Sequence, residues 1–233
     1  MKISVVPFLA VSLLFLPVAS MPADDRAANT LSPEEKAEGW TLLFDGKEAG
    51  SWWRNYQKEG IHELWQVSDG VLTLTGKGGG DIITKEKYGA FEFTLDYRIS
   101  KGGNSGVMYH VTEEEKRPWQ TGPEVQLQDN VDGHDPQKSG WLYQFYAAEV
   151  DATNPAGEWN TLRILITPDK CVHWMNGEKY FEYVKGSEDW QKRYEASKFV
   201  KFENFGKTDR GHICLQDHGN VISFRNIKIR PIE

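Results

Sequence analysis

The chain has 233 residues, 26% of them charged and 39% hydrophobic, with a formal charge of −7. That balance suits a folded globular protein with a sizeable core and excludes a disordered chain or a membrane-spanning bundle. An acidic chain without clustered Lys and Arg argues against nucleic acid as a partner, and no basic amphipathic stretch points to a membrane surface.

At the N-terminus a basic start, Met1-Lys2, leads into an apolar run from Ile3 to Val18 and the small residues Ala19-Ser20. This is the layout of a secretory signal peptide over residues 1–20, and its apolar part is too short and too Pro-broken for a spanning helix. No cysteine follows that could carry a lipid anchor. Residues 21–30 read as a flexible leader, and residues 31–233 as one domain with no internal place to cut. The expected location is secreted, periplasmic or extracellular.

Ser32-Pro33-Glu34-Glu35 predicts a short helix, with Ser as N-cap, Pro at the first position and acids in the first turn. Short strands and turns follow. Leu64 to Val67 and Val71 to Thr75 flank the turn Ser68-Asp69-Gly70. Gly76 to Gly80 lacks the Lys-Ser/Thr ending of a phosphate loop. Phe91, Phe93, Leu95, Tyr97 and Ile99 alternate with polar residues, which predicts a strand with one buried face. Val107 to Val111, Trp141 to Phe145, Trp159 to Ile166 and Cys171 to Asn176 predict further strands. Asn176-Gly177 predicts a hairpin into Lys179 to Tyr183. A second helix is predicted from Ser187 to about Lys198, then strands at His212 to Gln216 and Val221 to Ile229. Many short strands with two small helices predict an all-β sandwich. Cys171 and Cys214 read as small buried hydrophobes rather than a needed disulfide or a zinc site.

The central stretch is Gly122-Pro123-Glu124-Val125-Gln126-Leu127-Gln128-Asp129. On a strand, Glu124, Gln126 and Gln128 share one face while Val125 and Leu127 take the other. A polar face with one acid and two amides suits a sugar, and it equally suits a solvated outer face. Glu124 is the leading catalytic candidate, since a buried carboxylate can serve as acid, base or nucleophile. Gln126 and Gln128 offer hydrogen bonds, and Asp129 either assists or caps the next turn. In Leu215-Gln216-Asp217-His218-Gly219, Gln216 and His218 share a face where the strand persists that far, and an imidazole titrates near neutrality. Arg225 could bind an anion or an enolate, or join an inter-strand network. Trp141 is a candidate stacking platform. His134 with Asp129, Asp132 and Asp135 nearby is a conceivable divalent-cation loop, although the spacing fits no regular calcium loop. No cofactor is otherwise implied.

Taken in order, certain strings resemble a known family. They include Gly39-Trp40-Thr41-Leu42-Leu43-Phe44-Asp45-Gly46, Asn104-Ser105-Gly106-Val107, Gly122-x-Glu124-Val125-Gln126-Leu127-x-Asp129, Leu215-Gln216-x-His218-Gly219 and Phe224-Arg225-Asn226-Ile227. The family is the 3-keto-disaccharide hydrolases, and the resemblance covers about residues 33–232. It implies a concanavalin A-like jelly-roll β-sandwich related to the family 16 glucanases, export by glycan-degrading bacteria, and cleavage of glycosides oxidised to a ketone at C3. It also implies that Asn104 and His110 border the substrate. The chain departs from the pattern at His110, where Arg is usual, and at Pro123, where an aromatic is usual.

The glucanases carry Glu-x-Asp-x-Glu on the equivalent strand, whereas this chain has Glu124-x-Gln126-x-Gln128. A retaining glycosidase needs two carboxylates about 5 Å apart. With amides in place of the second acid, double displacement is disfavoured. A 3-keto sugar relaxes that need, because its ketone acidifies the C2 hydrogen and allows elimination of the C1 group. Glu124 or His218 would be the base and the other the acid. The competing readings are a non-catalytic carbohydrate-binding module and, less favoured, an ordinary glycosidase.

Overall fold

The computed structural model describes residues 28–232; the expected signal peptide and most of the leader lie outside them. Among the described residues the chain forms two antiparallel sheets. This is the all-β sandwich that the strand pattern predicts, in the jelly-roll form that the family resemblance implies, with two short α-helices.

The first helix, α1 (Pro33–Ala37), carries a complete capping box between Ser32 and Glu35, which satisfies otherwise orphaned backbone donors. It leads into β1 (Thr41–Leu42) and β2 (Trp53–Asn55). The hairpin of β3 (Trp65–Ser68) and β4 (Val71–Leu74) turns through Asp69 and Gly70, both at positive φ. That geometry matches the twist of paired strands. Beyond the glycine-rich loop come β5 (Ile82–Thr84), β6 (Phe91–Ile99), β7 (Asn104–Val111) and β8 (Glu124–Gln128). A long excursion then leads to β9 (Asn160–Ile166), β10 (Cys171–Met175) and β11 (Glu178–Tyr183). The chain ends with α2 (Glu188–Ala196), capped by Ser187, then β12 (His212–Leu215) and β13 (Ile222–Pro231).

One sheet runs in the order β11-β10-β9-β6-β13-β4-β3, with β1 added beside β13; the other runs β2-β5-β12-β7-β8. Their facing side chains make the core. From β6 come Phe91, Phe93, Leu95, Tyr97 and Ile99, all at 3% exposure or less, and from the smaller sheet come Val107, Val125, Leu127 and Leu215, fully buried. Burying a side chain of this size contributes about 1.5–3 kcal/mol. The sandwich is therefore held chiefly by this layer. Cys171 and Cys214 are free buried thiols in different sheets.

Two strands of the smaller sheet, β2 and β5, were not predicted; at three residues each they are too short to show alternation. Trp141 to Phe145 forms only isolated bridges, Val125↔Leu142 and Leu142↔Tyr146. It nevertheless lies along β8, where Gln126 N donates to Trp141 O, Gly140 N to Gln126 O and Tyr143 N to Glu124 O.

Candidate active site

The outer face of the smaller sheet carries the site. On β8 the core takes Val125 and Leu127, so Glu124, Gln126 and Gln128 point the other way, beneath the segment 129–146. Leu215 pairs with Ile82, and one step on Gln216 stands against Asp81. Gln216 N donates to Gly106 O, and Gly106 pairs with Gln126. A row thus crosses four strands as Asp81, Gln216, Gly106 and Gln126. Gly106 is the low point of that row. A Cβ there would stand 2.7 Å from Glu124 Oε1 and 3.2 Å from Gln216 Oε1, so the bare backbone gives the Glu124 side chain its room.

Above this floor is a pocket of about 250 Å³ lined by Glu124, Gln126, Gln216, Asn104 and His218, with Asp135, Tyr143, Trp119 and Lys198 as walls. Glu124 is 7% exposed. Burial pushes its carboxyl up to about 7, helped by the negative charges of Asp81 and Asp135 and opposed by the Lys198 ammonium and a hydrogen bond from Gln216. A group of that pKa is half-ionised near neutrality, where a proton acceptor works best. Three amide atoms lining the pocket, Asn104 Oδ1, Gln126 Nε2 and Gln216 Oε1, are buried without a hydrogen-bond partner. Unpaired buried polar atoms are costly. Two acceptors and one donor converging on one hollow suit a ligand rich in hydroxyls.

Lys198 opens a 3-10 helix, Lys198–Lys201, which Ser197 caps by accepting from Phe199 N. Its Nζ sits 4.3 Å over the Tyr143 ring and 5.5 Å from Trp119. Tyr143 OH donates to Asp135 Oδ2 at 2.9 Å, joining the two wall residues. His218 is exposed at the rim. Next to it, Asp217 Oδ1 accepts from Gly219 N at 2.8 Å and turns the chain. Strand alternation thus supplied Glu124 and Gln126, while Gln216 and His218 reach the pocket although β12 ends at Leu215. Alternation missed Lys198, Asp135 and Asp81. The expectation of a single acid without a second carboxylate holds for β8 alone, since Asp135 comes in from a loop and Asp81 from beside β5.

Other candidates lie elsewhere. His110 is buried, with Nε2 2.8 Å from Gly89 O and its ring against Phe91 and Tyr109. Its φ of 53° marks a bulge that breaks the alternation of β7 and turns the side chain from the outer face. Burial also pulls its imidazole down to about 4. Arg225 belongs to the larger sheet, where it bonds Asp96 at 3.2 Å and stacks 4.2 Å over Trp159. Gln128 holds the following loop by donating to Asp135 O and Gln137 O. Asp129 caps turns by accepting from Gly102 N and Val131 N, the alternative left open by its position. Trp141 packs half-buried against the core. His134 is exposed, and among the described residues no three His, Cys, Asp or Glu side chains converge on a cation site.

A family model described as 3-keto-alpha-glucoside-1,2-lyase-like domain matches residues 39–230. The chain belongs to this family. It is similar to a curated 3-keto-disaccharide hydrolase of Bacteroides thetaiotaomicron, at 33% identity over 84% of this chain and 80% of that protein. Two crystal structures from Parabacteroides distasonis, both provisionally assigned as glycosyl hydrolases, also resemble it. One aligns with a TM-score of 0.83 and 39% identity over 89% of this chain and all of the other. The second aligns with a TM-score of 0.66 and 29% identity over 83% of this chain and 99% of the other.

Proposed function

We propose that this member of the 3-keto-alpha-glucoside-1,2-lyase-like family is an exported enzyme that cleaves 3-keto-glycosides by elimination and hydration. The ketone at C3 makes the C2 hydrogen acidic, because the electron pair left behind spreads onto the C3 oxygen. Glu124 takes that proton. The ammonium of Lys198 and the unpartnered Gln126 Nε2 steady the enolate oxygen, in the manner of preset donors facing a developing charge. As the enolate collapses, the C1–O bond breaks, and His218 at the rim gives its proton to the departing oxygen. Water then adds at C1 of the unsaturated ketone, giving one proton to His218 while Glu124 returns its proton to C2. Both groups end as they began.

The observation that carries this reading is the convergence of a buried Glu124 carboxyl, raised to about 7, with three unpartnered amide atoms in one pocket. The second reading, ordinary glycoside hydrolysis, draws on Asp135, a further carboxylate in that pocket. Incubation with a 3-keto-glycoside and its unoxidised parent separates them. Release of sugar from the ketone alone, lost in Glu124→Gln, supports elimination. Cleavage of the parent supports the glycosidase, and binding of both without turnover supports a carbohydrate-binding module. The export component draws on the signal-peptide pattern of residues 1–20, and N-terminal sequencing of the protein from its native host tests it.

A further inference from the structure

The Glu124 pocket does not end at its rim. A second hollow of about 520 Å³ shares Trp119, Gln216 and His218 with it. A third, of about 430 Å³, shares Asp81, Arg117 and the glycine-rich loop with the second and runs on to Tyr56, Lys58 and His62. On the opposite side, Asp135 and Tyr143 wall the Glu124 pocket. The three form one groove that leads away in a single direction.

Both banks of the groove are pinned. Asp217 Oδ2 accepts from Gly78 N at 3.0 Å and Gly80 N at 2.8 Å, fixing the glycine-rich loop. On the other bank, Tyr56 OH donates to Thr112 O at 3.0 Å and Glu115 O at 2.7 Å. Arg54 grips Glu113 with two bonds, at 2.8 and 2.6 Å. A ligand entering pre-set walls loses less free energy to ordering them.

The groove floor also presents free polar groups. Asp81 Oδ1 accepts from Asp217 N at 2.8 Å, while its other oxygen has no protein partner. Among the described residues, the side chains of Arg117, Lys116 and Lys58 make no hydrogen bond or ion pair, yet all line the third hollow. Trp119 stands between the first two hollows as an aromatic wall. A substrate with one oxidised ring and a small leaving group would use none of the third hollow.

We infer that the substrate is an oligosaccharide of three or more residues, its oxidised non-reducing ring at Glu124 and its remaining sugars along the groove past Trp119 and Asp81 to Tyr56 and Lys58. This inference rests on the reading of the Glu124 pocket given above. The leaving group is then itself a saccharide, whose freed oxygen emerges beside His218. Its first ring meets the free oxygen of Asp81, and its second meets Lys58 and Lys116.

The test compares kcat/KM for 3-keto-maltose with 3-keto-maltotriose, and for 3-keto-cellobiose with 3-keto-cellotriose, each oxidised in the non-reducing ring. For the accepted linkage the trisaccharide is expected to be favoured by about tenfold, equivalent to one or two good hydrogen bonds. In a Lys58→Ala, Lys116→Ala double variant that ratio falls toward one, with thermal unfolding reporting that the fold is kept. Equal values for the two lengths in the unmodified enzyme overturn the inference and leave the Glu124 reading intact. Turnover of none of the four ketones overturns the Glu124 reading, and the inference with it.

Discussion

The Glu124 carboxylate rests on the bare backbone of Gly106, where a Cβ would lie 2.7 Å from Oε1. The nearest atom to that Cβ is the end of a side chain, so Gly106→Ala is expected to displace Glu124 rather than unfold the sheet. A shift near 1 Å costs about a hundredfold in rate. Measurement of kcat/KM beside a thermal melt checks this; unchanged activity would show that Glu124 is not held where the reaction needs it.

Glu124→Gln keeps the size and an amide's hydrogen bonds but cannot accept the proton. A loss of about 10²- to 10⁴-fold in kcat/KM is expected. Stability should move the opposite way. In the folded state the carboxyl is raised from 4.5 to about 7, so the fold holds this proton more tightly than the unfolded chain does. Its contribution is fully present below about pH 4.5 and is lost as pH rises through about 7. The Gln variant should therefore gain on the parent by up to about 3 kcal/mol between pH 4.5 and 8. Urea unfolding of both at pH 5 and pH 8 measures the difference.

If the ionised form of Glu124 is the base, kcat/KM rises with pH through an apparent pKa of about 7. The Lys198 charge opposes that raised value. Lys198→Met should move the rising limb to higher pH and lower the plateau, since the same ammonium faces the enolate. A plateau that falls with the limb unmoved would separate the two effects and remove Lys198 from the tuning of Glu124.

Arg225 supplies a contrast. Its partners are Asp96 and Trp159 in the larger sheet. Arg225→Ala is expected to leave kcat/KM within about twofold while costing about 1 kcal/mol of stability, the usual scale for a partly exposed ion pair with ring stacking. A large loss of activity with an unchanged melt would place it back among the groups that act on substrate.

Much of the sandwich was legible in the sequence because its long strands alternate cleanly, as in Phe91 to Ile99, and its tight turns use Asp69-Gly70 and Asn176-Gly177. The same alternation placed Glu124 and Gln126 on one face, whereas Gln216 and His218 lie just past the end of β12, which stops at Leu215. Alternation failed where the backbone breaks step. His110 and Asn226, both near φ 53°, sit at bulges, and parity counted across a bulge assigns the wrong face. Lys198 stands on a four-residue 3-10 helix and Asp135 in a loop, where no periodicity exists to read. Asp81 was hidden because the strand it precedes has three residues. The local signal for it was an acid placed between the glycine-rich loop and the apolar pair Ile82-Ile83.

The segment that crosses beside β8 has a consequence for how the protein behaves in company. A final strand bearing Glu124 would otherwise offer its amides and carbonyls to any extended chain, the common route to sheet-to-sheet aggregation. The Trp141 carbonyl takes the Gln126 amide, and the amides of Gly140 and Tyr143 take the Gln126 and Glu124 carbonyls. The edge nearest the chemistry is thus closed to swapping and fibril-like growth, and a crowded, peptide-rich medium finds no unfinished ladder there to extend.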